Sequence, residues 1–253
     1  MKNLKQKRLN KILNPKDRRT VILPLDHGIS DGPIAGLIDM RNTLKKAIEG
    51  GVDTIIIHKG IYKIYRDLLI KKPVMIHISA STMFGEPLRK VIVTRPSEVI
   101  ALGAIGVSIH INLANEFEHE MIRDLGIISG ECEELGLPLL AMIYPRNRIN
   151  NKIVTFTDVE HVKHAARLGA ELGADIVKVP YTGDSKSFSE VVRGCPIPVV
   201  IAGGAKGDEK TMLKSIDDCI KVGAAGVSVG RNVFQHEDMV GMIKKVRKIV
   251  HQP

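Results

Sequence analysis

Four segments of the chain repeat the same order of polar and hydrophobic positions. In each, a helix-like stretch ends at a glycine, small residues follow, and a short β-branched run comes next. The segments are EGGVDTIIIH (49–58), ALGAIGVSIH (101–110), ELGADIVKV (171–179) and KVGAAGVSVG (221–230). Glycine can adopt the left-handed conformation that closes a helix. Each segment is therefore predicted to hold a helix end followed by a buried strand.

Four further apolar runs are predicted to be strands, and three of them begin after a proline. They are TVILPLDHG (20–28), PVMIHIS (73–79), PLLAMIYP (138–145) and PIPVVIAGG (196–204). Amphipathic stretches with helical spacing separate most of the eight strands, and the shortest is IYKIYRDLLIKK, between the second and third. Strands that alternate with helices in this way indicate parallel βα units.

The eight units predict an α/β fold, a single (β/α)8 TIM barrel over residues 19–253. Residues 1–18 are predicted to form a basic helical extension, since they lack the apolar region and cleavage site of a signal peptide. The chain has 253 residues, 44% of them hydrophobic, which is enough for one large domain. An open, doubly wound sheet is the alternative, but no GxGxxG motif follows the first strand.

Charge and cysteine content limit the function classes. The formal net charge is +9, which is compatible with nucleic-acid binding or with a lysine-rich surface around an anion site. The dispersed basic residues and the 4% aromatic content favour the anion site and no nucleic-acid partner. The three cysteines lack a CxxC pair, which is typical of reduced thiols in the cytoplasm. No apolar run approaches the roughly 18 residues of a membrane span, so no membrane partner is expected.

Two glycine turns predict a phosphate site. In such barrels the active site lies at the C-terminal ends of the strands, and phosphate frequently binds the loops after strands seven and eight. Gly203 and Gly204 follow the seventh strand, and Gly230 and Arg231 follow the eighth. Glycines let backbone N–H groups approach an anion, and Arg231 can add charge-assisted hydrogen bonds. The alternative is a pair of tight turns that only close the barrel.

Lys178 is the first candidate for catalysis. It lies in the apolar strand IVKV and shares its parity with Ile176, so both are expected to point into the barrel. Desolvation there favours the neutral amine, which can attack a carbonyl carbon and form a Schiff base. The alternative is a lysine that reaches the rim to bind phosphate or a carboxylate.

Asp26 and Tyr144 are candidates for proton transfer, at the ends of the first and fifth strands. Asp26 could instead cap a loop, and Tyr144 could be a packed aromatic with a solvated hydroxyl.

The histidines on the second, third and fourth strands, His58, His77 and His110, raise the alternative of a metal site. However, no HxH pair is present. Asp26 and His27 should face opposite ways on an extended strand, and His77 is expected to face the helices. Structural or substrate-contacting histidines are therefore favoured, with no metal.

Five segments together resemble the archaeal-type class I aldolases, a family that includes fructose-bisphosphate aldolases and amino-dideoxy-heptulosonate synthases. They are LPLDHGISDGP (23–33), MIYPR (142–146), VKVPYTGDSKSF (177–188), GCPIPVVIAGG (194–204) and VGRNVFQHED (229–238). The resemblance implies a barrel in which Lys178 forms the Schiff base, Tyr144 donates a proton and Asp26 is an acid/base residue. Gly203, Gly204, Gly230 and Arg231 would hold the substrate phosphate, and His27 would contact substrate.

The motifs are closer to the synthase branch of that family, with simple fructose-1,6-bisphosphate aldolase as the alternative. Met142 stands where the sugar aldolases often carry an aromatic residue, which favours the synthase branch. Pro180 and Ala205 depart from the family pattern and could reshape the pocket. The implied substrates are a phosphorylated ketose and an aldehyde, with no cofactor and with a homo-oligomer, in the size range of a decamer. Arg146 or Lys59 is expected to receive the acceptor's carboxylate. A phosphate-binding isomerase and a non-catalytic binding barrel are the remaining alternatives.

Overall fold

The computed structural model describes residues 2–204 and 207–251. The helices are α1 (Lys2–Ile12), α2 (Gly28–Asp31), α3 (Met40–Gly50), α4 (Lys59–Ile64), α5 (Arg66–Leu69), α6 (Pro96–Leu102), α7 (Glu118–Leu135), α8 (Val159–Glu171), α9 (Ser185–Gly194), α10 (Glu209–Lys221), α11 (Arg231–Phe234) and α12 (Met239–Val250). The strands are β1 (Thr20–Pro24), β2 (Thr54–Ile57), β3 (Val74–His77), β4 (Ser79–Ala80), β5 (Val91–Ile92), β6 (Gly106–Leu113), β7 (Leu139–Ile149), β8 (Lys152–Thr155), β9 (Ile176–Val179), β10 (Val199–Ala202) and β11 (Gly226–Ser228).

Eight parallel strands close into a barrel. Their order is β6-β3-β2-β1-β11-β10-β9-β7, and the pairing of β6 with β7 closes the ring. These strands are the eight that the hydrophobic pattern predicts, so the TIM barrel is confirmed and the open-sheet alternative is wrong. The short predicted unit between the second and third strands folds as the two small helices α4 and α5.

The repeated glycines end helices as predicted. Gly51, Gly103, Gly173 and Gly223 all have positive φ, between 82° and 98°. This conformation is accessible to glycine at little cost and turns the chain back toward the next strand. At the other ends, aspartate side chains accept hydrogen bonds from backbone N–H groups and cap α3, α8, α9, α10 and α12.

The basic N-terminal segment forms the predicted helix, and it closes one end of the barrel. Ile12 and Leu13 are fully buried against the inward-facing strand residues, among them Ile22, Ile56 and Ile176. Lys5 pairs with Asp175, which comes just before β9, so α1 lies at the N-terminal ends of the strands. It therefore lies at the opposite end of the barrel from the expected active site.

Two pairs of strands lie outside the barrel ring and were not predicted. β4 pairs antiparallel with β5 directly after β3, and the end of β7 pairs antiparallel with β8. Both pairs extend beyond the C-terminal ends of barrel strands, so they add side chains to the rim of that end. No helix within the described residues is both long and apolar enough to span a membrane.

Candidate active site

A cavity of about 700 Å³ opens at the C-terminal ends of the barrel strands. Nine of the ten residues proposed from the sequence line it: Asp26, His27, Tyr144, Arg146, Lys178, Gly203, Gly204, Gly230 and Arg231. Backbone direction explains this convergence, since every barrel strand points its C-terminal end toward the same opening.

Lys178 lies in the wall of the cavity, and only 6% of its surface is exposed. Ile176 belongs to the cluster inside the barrel, whereas Val177 and Val179 pack outward against the helices, so the predicted inward parity is confirmed. The Lys178 Nζ atom lies 6.0 Å from the centroid of the Tyr144 ring. No described residue forms an ion pair with this amine, which leaves Nζ available to a substrate carbonyl.

Asp26 and His27 both face the cavity, contrary to the expected alternation. β1 ends at Pro24, and His27 has helical dihedral angles (φ −67°, ψ −17°), so the period of an extended strand no longer applies. The atoms Asp26 Oδ1 and His27 Nδ1 are 3.6 Å apart, and both are buried without a hydrogen-bond partner among the described residues. Unsatisfied buried polar atoms at this position are suited to a substrate hydroxyl.

Asp26 is a carboxylate in the working pH range. Burial by itself would raise its pKa, but His77, His27 and the Lys178 ammonium outweigh that effect and hold the pKa at about 2. Asp26 can therefore accept a proton or orient a hydroxyl, and it carries a negative charge opposite the amine of Lys178.

His77 points into the barrel, so its expected orientation toward the helices is wrong. Its Nε2 lies 3.6 Å from Asp26 Oδ2, and its Nδ1 lies 2.8 Å from Ser108 Oγ. Burial lowers the pKa of His77 to about 4, so the ring is neutral at pH 7. The ring of His58 packs edge-on against it, 5.2 Å between centroids.

Tyr144 lies on β7, the strand next to that of Lys178, and is held between two neighbours. The His110 ring lies 4.9 Å from its ring, and Cζ of Arg146 lies 4.2 Å from its centroid. Burial and the nearby cations Lys90 and Arg146 keep the pKa of His110 well below its usual range. His110 is therefore a neutral packing partner, whereas Arg146 brings a positive charge next to the tyrosine.

The two glycine turns lie side by side on the other wall of the cavity. A Cβ on Gly203 would meet Val229 Cγ1 at 2.7 Å, and a Cβ on Gly230 would meet His27 Cε1 at 2.8 Å. Both positions therefore require glycine because neighbouring groups approach closely. Asn232 joins the turns, since its Nδ2 donates to the Gly203 carbonyl and its Oδ1 accepts from Gly207 N–H. Ala205, which departs from the family pattern, lies outside the described residues.

Lys59 is the one proposed site residue that does not line the cavity. It opens α4, and its Nζ pairs with Glu98 of α6 at 2.8 Å. The assignment of Lys59 to the acceptor carboxylate is therefore not supported by its position. A different lysine, Lys90, does line the cavity. Nothing in its local sequence, LRKVIV, distinguishes it from a surface lysine, because its position depends on the unpredicted β4–β5 pair.

Comparison with known proteins agrees with this geometry. The model of the DeoC/LacD family aldolases matches residues 20–236. The chain is similar to 2-amino-3,7-dideoxy-D-threo-hept-6-ulosonate synthase 1 of Archaeoglobus fulgidus, with 46% identity over 98% of this chain and 91% of that protein. It is also similar to the crystal structure of an archaeal fructose 1,6-bisphosphate aldolase, with 32% identity, a TM-score of 0.89 and coverage of 99% of this chain and 100% of that one.

A third similarity concerns mechanism. A structure from work on reaction intermediates of the Schiff base forming fructose-1,6-bisphosphate aldolase aligns with a TM-score of 0.89 and 31% identity, over 98% of this chain and 100% of that one. The family match covers most of the chain, and the relatives are aligned along nearly their whole lengths. The chain therefore belongs to the DeoC/LacD family of aldolases.

Proposed function

We propose that the chain is a Schiff-base transaldolase that makes 2-amino-3,7-dideoxy-D-threo-hept-6-ulosonate from a phosphorylated deoxy-ketose and L-aspartate semialdehyde. The observation that carries the proposal is the position of Lys178, a buried lysine that forms no ion pair with any described residue and faces both Asp26 and Tyr144. The 46% identity to the Archaeoglobus fulgidus synthase supports the substrate assignment. The product would enter the biosynthesis of aromatic amino acids.

The donor half of the reaction begins when the Lys178 amine attacks the ketone carbon. Loss of water gives an iminium ion, which is an electron sink. The neighbouring C–C bond then breaks, its electron pair moves to the iminium nitrogen, and a three-carbon enamine remains on the lysine. The released fragment leaves as an aldehyde after its hydroxyl gives up a proton.

The acceptor half reverses this flow of electrons. The enamine carbon attacks the aldehyde carbon of aspartate semialdehyde, whose oxygen takes up a proton, and water then hydrolyses the imine to free the lysine. Tyr144 is the proposed donor and acceptor of that proton, since it lies beside Lys178. Asp26, whose pKa is held at about 2, is the proposed hydrogen-bond acceptor for the substrate hydroxyls. Gly203, Gly204, Gly230 and Arg231 are the proposed phosphate site, with His27 beside it.

Borohydride trapping tests the proposal. Reduction in the presence of a deoxy-ketose phosphate should attach the donor to Lys178, and peptide mass mapping should locate it there. Aspartate semialdehyde added before the borohydride should discharge the unreduced enamine, so that less adduct is trapped and a seven-carbon amino-keto acid appears. The absence of an adduct with every ketose phosphate would overturn the proposal. Lys163→Met, which alters an exposed lysine of α8, serves as the matched control and should trap normally.

The second candidate is fructose-1,6-bisphosphate aldolase activity with the same lysine. The similarity to the archaeal fructose 1,6-bisphosphate aldolase over the full barrel favours it. The two activities share a Schiff base and differ in the aldehyde half. Trapping by fructose 1,6-bisphosphate with release of glyceraldehyde 3-phosphate, and no discharge by aspartate semialdehyde, would select this candidate.

We also propose that the protein acts in the cytoplasm as a homo-oligomer. The three cysteines are all buried free thiols, which suits a reducing compartment. The resemblance to ring-forming aldolases supports the oligomer. Light scattering would decide it, and a mass equal to one 27.8 kDa chain would contradict the proposal.

A further inference from the structure

Two half-buried cations face the cavity from the wall that holds Tyr144. Arg146 lies near the end of β7, and Lys90 lies just before β5. Both line the cavity, and burial together with the positive charge of Arg146 lowers the pKa of Lys90. The two side chains form one electropositive region on the β5 and β7 side of the cavity, whereas the glycine turns follow β10 and β11.

Neither cation has a carboxylate partner among the described residues. The Arg146 Nε donates to Thr155 Oγ1 at 3.0 Å, and neither Nη nitrogen forms a hydrogen bond within the described part of the chain. The Lys90 Nζ donates to Ser81 Oγ, which uses one of its three N–H groups. Two like charges that are partly removed from water disfavour each other, and a bound anion offsets that repulsion. The free donors of both groups are thus available to an anion in the cavity.

The two cations rest on rigid supports. The segment that carries Lys90 is held by the Asn112 Nδ2 atom, which donates to the Leu88 carbonyl at 2.8 Å. It is tied to β7 by the ion pair between Glu86 and Arg148, 2.7 Å. Asn115 donates to the Arg146 carbonyl at 3.2 Å. An anion would therefore meet donors that are already in place, which lowers the cost of ordering them on binding.

We propose that Lys90 and Arg146 form the binding site for the anionic group of the aldehyde half of the reaction. This inference rests on the proposed function. The anion would be the carboxylate of aspartate semialdehyde in the synthase reaction or the phosphate of glyceraldehyde 3-phosphate in the aldolase reaction. Arg146 can hold either group in a bidentate manner, and Lys90 supplies a second, point-like charge. The pair places the anion beside Tyr144, so that the aldehyde oxygen lies next to the proposed proton donor.

Steady-state kinetics of Lys90→Met test the site with three acceptors. The variant should raise KM for aspartate semialdehyde about tenfold or more, which is typical for the loss of a hydrogen bond to a charged group. It should raise KM for glyceraldehyde 3-phosphate similarly if the aldolase reaction is also carried out. With uncharged glyceraldehyde as acceptor, KM should change less than about threefold, because that substrate has no anion to lose. Lys90→Arg should restore most of the affinity.

Trapping of the donor adduct distinguishes a failure of this inference from a failure of the proposed function. At saturating donor, borohydride trapping on Lys178 should reach the same extent in Lys90→Met as in the unaltered protein, which shows that the barrel is folded and that Schiff-base formation is intact. An unchanged KM for both charged acceptors, or an equal loss for the charged and uncharged ones, would overturn the inference. Failure of the proposed function would instead appear in the unaltered protein, as the absence of an adduct or of product. Lys163→Met controls for the loss of a lysine elsewhere and should leave all three KM values unchanged.

Discussion

The guanidinium of Arg146 lies over the ring of Tyr144, with Cζ 4.2 Å from the ring centroid. The contact is a cation–π attraction, and it also places the positive charge of Arg146 next to the phenol of Tyr144. When Tyr144 gives its proton to a substrate oxygen, the negative charge left on the phenol is stabilised by the adjacent cation. The same arginine therefore serves the proposed anion site and the proposed proton donor.

Tyr144→Phe should lower kcat about 10²- to 10⁴-fold, since a positioned proton donor contributes about that much. KM for the donor ketose should change less than about threefold, because the ring and its contacts with Arg146 and His110 remain. Stopped-flow or steady-state assays of product formation measure both values. A kcat within about threefold of the unaltered protein would remove Tyr144 from the mechanism.

Alanine at the glycine turns should weaken phosphate binding. In Gly203→Ala the new Cβ would meet Val229 Cγ1 at 2.7 Å, and in Gly230→Ala it would meet His27 Cε1 at 2.8 Å, so the turn or the side chain that it meets must shift. We expect KM for a phosphorylated ketose to rise about tenfold or more, because the backbone N–H groups no longer converge on the anion. Inorganic phosphate should likewise become a weaker competitive inhibitor.

Gly126→Ala is the matched control for these turns. Gly126 lies within α7, and no atom lies within 4 Å of a Cβ built there. This variant should bind the phosphorylated ketose normally. If the turn variants bind it as well as the control does, the phosphate site lies elsewhere in the cavity.

The barrel could be predicted from the sequence because the signals for its helices and strands are local and repeat along the chain. Glycine at the helix ends and parity along IVKV are properties of a few adjacent residues, and the structure agrees with both. The expected alternation of inward and outward side chains does not hold at His27, because the strand had already ended at Pro24. At His77 the alternation does hold, but the predicted face was wrong, since His77 shares the inward face of β3 with Met75.

Lys90 and Asn232 could not be found in this way. Lys90 reaches the cavity only because β5 pairs with β4, and a two-residue pairing leaves no periodic signal in the sequence. Asn232 acts by joining Gly203 and Gly207, which are 29 and 25 residues away along the chain. Side chains placed by long-range contacts of this kind require the structure.

The affinity for a charged acceptor should depend on pH. Burial and the charge of Arg146 lower the pKa of Lys90 from 10.5 to about 8. Lys90 is thus a cation below pH 8 and becomes neutral above it, so KM for aspartate semialdehyde should rise between pH 7 and 9. The other ionisable groups that act on it are Asp26, with a pKa of about 2, Asp31 of α2, His77, with a pKa of about 4, and His110, whose pKa lies well below its usual range.

The ratio of KM for aspartate semialdehyde to KM for uncharged glyceraldehyde isolates this effect, because ionisations that alter the chemistry act on both acceptors. In Lys90→Arg the ratio should stay constant up to pH 9, since a guanidinium remains charged. A constant ratio in the unaltered protein would show that Lys90 does not titrate in contact with the acceptor.

Substitutions at the end of the barrel that α1 closes should change the free energy of unfolding without changing kcat. Leu13 is fully buried against the inward-facing residues of the strands, so Leu13→Ala should lower the free energy of unfolding by about 2–5 kcal/mol. Leu4→Ala, at a half-exposed position of α1, the helix that leads into Leu13, should change it by less than about 0.5 kcal/mol. Urea unfolding measures both. Because α1 packs at the end of the barrel opposite Lys178, kcat of the folded Leu13→Ala protein should match that of the unaltered chain. A selective loss of kcat with full stability would mean that this end of the barrel communicates with the cavity.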